Sequence, residues 1–208
     1  MIHPDVAERN RGHRRLEIIA AASAGLSTRL ITLCSGTRDR DDQWRAHPDN
    51  DTAEAWRDLL ASMETALRIA DRYDVDLGLE PELANVVNSA EKARRLIDEM
   101  QSPRLKIILD PANLFETATP ARQRTIVASA IDLLADRIVM GHAKDRTATG
   151  GFTTAGKGVL DYPHYIACLK NVGFEGSLVT HGLAASEAAG VAVFLRQTLA
   201  EAGMAVSA

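Results

Sequence analysis

Leu105-Lys106-Ile107-Ile108-Leu109-Asp110-Pro111-Ala112-Asn113 decides how the rest of the 208-residue chain is read. A short, near-continuous apolar run stops on Asp-Pro. Such a run, bounded by a turn signal, reads as a strand buried on both faces, the kind that parallel sheets use. The carboxylate that follows stands at the C-terminal end of the strand, where side chains of parallel α/β folds converge on a site.

The same pattern recurs on either side of this stretch. Arg29 to Cys34, Val75 to Leu79, Arg137 to Met140 and Ser177 to Val179 are further apolar, β-branched runs, each followed by a longer helical pattern. The helices carry start and stop signals. Asp51 with Glu54 has capping-box spacing ahead of a helix from Trp56 to Tyr73. Asn88 or Ser89 caps a helix running to Met100, and Thr119-Pro120 is an N-cap followed by proline at the first helical position. Asp161 precedes a helix from Tyr162 to Asn171 with Gly173 as its stop, and Ser186 opens a last helix that ends before Gly203. Apolar spacing makes Pro4 to Ala24 helical as well. The predicted order is one helix and then five βα units, which implies a parallel α/β architecture. An open doubly wound sheet and a barrel both satisfy it. No GxGxxG follows the first strand, which counts against dinucleotide binding.

Composition removes several function classes. The chain has 24 Lys+Arg against 28 Asp+Glu, a formal net charge of −4 and a pI near 5.9, which argues against a nucleic-acid partner. No stretch approaches the roughly 20 apolar residues of a membrane span, so no membrane partner is expected. Aromatic residues are only 4%, so the core is expected to be aliphatic. Cys34 and Cys168 lie far apart without CxxC spacing and read as reduced, buried thiols of a cytoplasmic protein.

The strand ends carry the chemistry. They read Glu80-Pro81-Glu82, Asp110-Pro111-Ala112-Asn113, His142-Ala143-Lys144-Asp145 and Thr180-His181-Gly182. Glu80, Asp110, His142 and His181 follow one another at about 30–40 residues, the length of one βα unit. Two carboxylates and two imidazoles are therefore expected at one end of consecutive strands. Buried carboxylates are costly unless protonated, paired or metal-bound, and this donor set suits Mn, Co, Zn or Fe better than Mg. The alternative is that each makes a separate strand-end hydrogen bond. Lys144 and Asp145 are candidate substrate contacts or supports for the His142 ring, against a plain salt bridge. Gly150-Gly151 and Gly156-Lys157-Gly158 suggest a mobile loop after His142 that is not a P-loop. His3, His13 and His164 are expected at the surface.

Five segments taken together resemble the xylose isomerase-like TIM barrels, the sugar-phosphate isomerase/epimerase superfamily. They are HPDN (His47 to Asn50), GLEPE (Gly78 to Glu82), LDPANLF (Leu109 to Phe115), GHAKD (Gly141 to Asp145) and AGKGVLDYPHY (Ala155 to Tyr165). The resemblance covers nearly the whole chain from about Asp5. It implies one domain over residues 1–208, a partial (β/α)8 TIM barrel of about five parallel strands, family strands four to eight, with the first two to three absent. It also implies metal ligation by Glu80, Asp110 and His142. The fourth position, commonly Glu, is His181 here. In epimerase relatives the first and last glutamates act as an acid/base pair, which places Glu80 and His181 in that catalytic role. Trp44 and His47, in the loop after the first strand, are candidates for an apolar wall and a polar contact to a sugar ring, against simple loop packing, and Asn113 for a polar substrate contact, against an Asn that holds the βα turn.

The implied function is metal-dependent isomerisation or epimerisation of a sugar, keto-sugar or polyol through a metal-stabilised enediolate. A lyase or dehydratase on the same fold is the near alternative, because an imidazole at position 181 puts a symmetric two-glutamate mechanism in doubt. An inactive or partner-dependent barrel fragment is another. The missing strands point to a homo-oligomer or a partner chain covering them. An endonuclease IV-type nuclease fits poorly, since it needs more ligands and a basic surface.

Overall fold

The computed structural model describes residues 1–204. The chain forms two compact units, one of residues 1–108 and one beginning at Leu109.

In the first unit, α1 (Val6–Ser23) leads into β1 (Leu30–Cys34). Then come α2 (Ala53–Tyr73), β2 (Asp76–Glu80), α3 (Ala90–Met100) and β3 (Leu105–Leu109), whose last residue opens the second unit. β1 and β2 pair in parallel with Leu30 opposite Asp76, and β2 pairs with β3 with Leu77 opposite Leu105. α2 is helical because its apolar residues recur at helical spacing. Leu59, Met63, Ala66 and Ala70 form one stripe, all fully buried. They pack with Leu77, Leu79, Leu96 and Ile107 into the aliphatic core that the composition predicted.

In the second unit, α4 (Pro120–Leu134) precedes β4 (Ile138–Ala143). A short antiparallel hairpin follows, of β5 (Asp145–Arg146) and β6 (Phe152–Thr153), and then α5 (Tyr162–Asn171), β7 (Ser177–Thr180) and α6 (Ala188–Glu201). β4 and β7 are parallel, with His142 opposite Val179. Val127, Ile131, Leu134, Tyr165, Ile166 and Leu169 are among the buried residues of α4 and α5. The strand order of the larger sheet is β1-β2-β3-β4-β7, five strands. The class is α/β and the architecture a partial TIM barrel. No helix among the described residues is long and apolar enough to cross a membrane.

Several sequence expectations shift. Thr52, not Asp51, caps α2. Pro48–Asp51 is itself a 3-10 turn, and the extended Thr52 accepts a hydrogen bond from the Ala55 N–H. Ser89, Thr119 and Asp161 cap as predicted. Ser186 falls in a 3-10 turn (Ala185–Glu187) ahead of α6. β4 runs on to Ala143, so His142 lies within the strand, because the β7 ladder holds Gly141 to Ala143 in register. The loop after His142 is a built hairpin. His13 and His164 are half-buried, since α1 packs on α2 and α5 on α4.

Candidate metal centre

Three of the four strand-end residues lie together in the second unit. Asp110 follows β3 and is nearly inaccessible; its Oδ1 accepts from the Ala112 N–H at 2.9 Å, which closes the Asp-Pro turn. The other oxygen, Oδ2, faces His181 Nε2 at 3.4 Å and His142 Nδ1 at 3.8 Å. The two imidazoles meet edge-on with centroids 4.4 Å apart and an interplanar angle of 61°. One ligand atom from each of the three residues lies within 4.8 Å of the others.

Two atoms of this cluster are unusual. Asp110 Oδ2 and His181 Nε2 are both buried, and neither has an aligned hydrogen-bond partner among the described residues. Buried polar atoms are normally satisfied, so a pair left facing each other marks a place for a ligand. A carboxylate oxygen and two imidazole nitrogens form a donor set for a divalent transition ion. The cluster therefore has the chemistry to hold a metal ion.

Asp110 also has an ion-pair partner that is not an imidazole: Lys144, whose Nζ lies 3.1 Å from Oδ2. Burial by itself would raise the Asp110 carboxyl, but the His181 ring and the Lys144 ammonium outweigh it. They hold the group below the usual carboxylate range. Lys144 also donates to Asn113 Oδ1 at 3.1 Å, and its Nζ stands 3.9 Å over the Phe152 ring. Asn113 thus faces the cluster through Lys144.

Asp145, the neighbour of Lys144, is turned elsewhere. Its Oδ1 accepts from the Arg146 and Leu160 N–H groups, and its Oδ2 from those of Gly156 and Gly158. The side chain is fully buried and organises the segment from Gly156 to Leu160. At Gly158 a Cβ would collide with the Arg146 carbonyl and with Asp145 itself, so this wrap requires glycine there.

Two supports were not assigned a role from sequence. Tyr165, fully buried, donates from its hydroxyl to the carbonyls of Leu109 and His142, at 3.4 and 3.3 Å, fixing the backbone beside two of the three clustered residues. Burial pushes its phenol well above the ordinary range, so it stays a donor. Glu187 takes hydrogen bonds from Thr154, Lys157 and the Ala184 N–H, tying the segment after His181 to the loop that Asp145 organises. The only hint of Tyr165 in the sequence was its place in the YPHY run.

In the first unit, Glu80 closes β2 and is half-buried. The β2/β3 register pairs Leu79 with Ile107, which sets Glu80 level with the last turn of strand before Asp110. Glu80 lines a cleft of about 790 Å³ together with Thr32, Cys34, Thr37, Trp44 and Asn85. Trp44 is 61% exposed there. His47 stands apart from that lining. Its ring accepts from the Asp49 N–H and caps the turn before α2.

A family model described as a xylose isomerase-like TIM barrel matches residues 1–202. No curated protein sequence matches. Among solved structures, the chain is similar to a xylose isomerase domain protein from Planctomyces limnophilus, with TM-score 0.71 and 18% identity over 92% of this chain and 65% of that one. It is similar to the IolI protein with a bound zinc atom, with TM-score 0.70 and 15% identity over 95% of this chain and 71% of that one. It also resembles D-psicose 3-epimerase with D-tagatose from Clostridium cellulolyticum H10, with TM-score 0.71 and 17% identity over 94% and 73%. The chain thus spans less than two thirds of the Planctomyces protein and somewhat more of the other two. At these identities the likeness is one of fold.

Proposed function

The chain belongs to the xylose isomerase-like TIM-barrel family, and on that premise we propose that it is a metal-dependent isomerase or epimerase acting on a sugar, keto-sugar or polyol. The observation that carries this reading is the buried, unsatisfied pair Asp110 Oδ2 and His181 Nε2, with His142 beside it. Asp110, His142 and His181 are three ligands, and Glu80 is the fourth, brought to its strand end by the β2/β3 register. Zinc, manganese, cobalt or iron suits this set better than magnesium. The sugar epimerases and the zinc-bound protein among the structural neighbours are in keeping with it.

When bound, the metal supplies Lewis acidity that makes the C–H next to a carbonyl easier to deprotonate. The chain's own residues do the rest. Glu80, half-buried and carboxylate-bearing, takes or returns the proton on one face of the substrate. The imidazole of His181, which can take up or give a proton at a ring nitrogen, handles it on the other. This makes the pair unsymmetrical, one carboxylate and one imidazole. Trp44 presents an apolar wall in the cleft that Glu80 lines. Lys144 and Asn113 offer polar contacts to substrate oxygens, while Asp145 shapes the loop rather than meeting substrate. The same reading places the protein in the cytoplasm, with Cys34 and Cys168 as reduced thiols outside any disulfide.

Elemental analysis of the purified protein and of Glu80→Gln and His181→Ala tests the site. About one metal per chain is expected in the parent, lost in both variants with the fold retained. Unchanged occupancy in His181→Ala removes that residue from the ligand set. Incubation of keto-sugars in D2O tests the reaction. Deuterium in a recovered isomer of the same composition is expected, whereas net loss of water points to a dehydratase.

A further inference from the structure

Among the described residues of the second unit, Lys144 is a buried cation with its ammonium on the atom that the metal would use. Its side chain is 10% exposed, and its Nζ lies 3.1 Å from Asp110 Oδ2. We propose that Lys144 is a resident competitor for the metal: its ammonium neutralises Asp110 until a divalent ion displaces it. The proposal rests on the metal reading above.

The geometry gives the ammonium somewhere to remain when Asp110 is taken. Asn113 Oδ1 accepts from it at 3.1 Å, and the Phe152 ring face lies 3.9 Å away. A hydrogen bond and a cation–π contact together hold an ammonium at modest cost. The Tyr162 hydroxyl donates to the Lys144 carbonyl and fixes the backbone from which the side chain reaches. The lysine therefore has two anchors that do not depend on the Asp110 charge. A divalent ion on Asp110 would stand a few ångströms from this fixed positive charge, and in partly buried surroundings like charges at that distance repel strongly.

The test is calorimetric titration of the metal-stripped full chain with Zn2+, and separately with Mn2+, in the parent, Lys144→Met and Lys144→Gln. Methionine keeps the volume without charge, and glutamine keeps a donor for Asn113. Both variants are expected to bind at least about tenfold more tightly, equivalent to about 1.4 kcal/mol. Their metal-free melting temperature is expected to fall, and the rise on adding metal to exceed that of the parent. A merely structural lysine would lower the melting temperature without tightening metal binding. Equal or weaker binding in the variants overturns the proposal and leaves the metal centre standing. If neither parent nor variants take up metal, the metal reading fails and the proposal with it. Should Lys144→Met not fold, the glutamine variant carries the comparison.

Discussion

Asp110 is the residue on which the second unit's site turns, because three groups of opposite or titratable charge converge on one of its oxygens. Replacing it by alanine leaves Lys144 buried and without its anion. The expected loss is about 3 kcal/mol of stability, read by denaturant unfolding of the metal-free protein, together with loss of bound metal. Asp145 has a different duty and a different signature. Asp145→Ala strands four backbone N–H groups and is expected to destabilise by about 2–4 kcal/mol in thermal unfolding. Metal binding per folded molecule should hold up better than in the Asp110 variant. Both aspartates looked alike in the sequence, one after an apolar run and one three positions past a histidine. Their tasks separate only through partners 11 to 15 residues away for Gly156 and Leu160, and 34 positions on from Asp110 for Lys144.

At the scale of elements, the caps and the close approaches can be checked directly. Thr52→Ala is expected to cost about 1 kcal/mol, and Asp51→Ala distinctly less, because Thr52 supplies the oxygen that meets the Ala55 N–H. Equal effects would return the cap to Asp51. β4 passes over α5 so closely that a Cβ at Gly141 would lie 2.5 Å from the Tyr165 hydroxyl and 2.7 Å from Leu178 Cδ2. Gly141→Ala is expected to destabilise by about 1–3 kcal/mol and to disturb the Tyr165 hydrogen bond that steadies His142, visible as weaker metal uptake. The helices and strands themselves were legible, since periodicity and capping depend on residues a few positions apart. The β5–β6 hairpin was not. Asp145, Arg146, Phe152 and Thr153 lack the length of alternating pattern that marks a strand, and glycines between them read as looseness. Arg146, buried over Phe152 with its side chain donating to the Ala112 and Gly150 carbonyls, is what makes that loop a built one.

For the molecule as a whole, acid response follows from its depressed carboxyls. Glu187 is pushed down from 4.5 to about 2 by Lys157, the Ala184 N–H and Thr154. Arg45 lowers Asp39, Trp56 and Arg95 lower Glu99, and His181 and Lys144 lower Asp110 against its burial. A carboxyl with a lower pKa folded than unfolded stabilises the fold above its unfolded value and loses that contribution as pH falls through its folded one. These carboxyls are therefore expected to withdraw stability as pH falls between about 4.5 and 2, measured as melting temperature against pH. Hydrogen exchange should show residues 154–157 and 184–187 loosening together, since Glu187 joins them. The amino-acid order alone determined the alternation of strands and helices, the parallel α/β class, and which ligand-type residues stand at strand ends, because each depends on local spacing and turn chemistry. Only the tertiary structure decided that Asp110 Oδ2 and His181 Nε2 face each other unsatisfied, that Lys144 stands between Asp110, Asn113 and Phe152, and that Asp145 gathers backbone N–H groups. Those relations join atoms far apart along the chain, and the path that brings them together is set by packing, which no local pattern encodes.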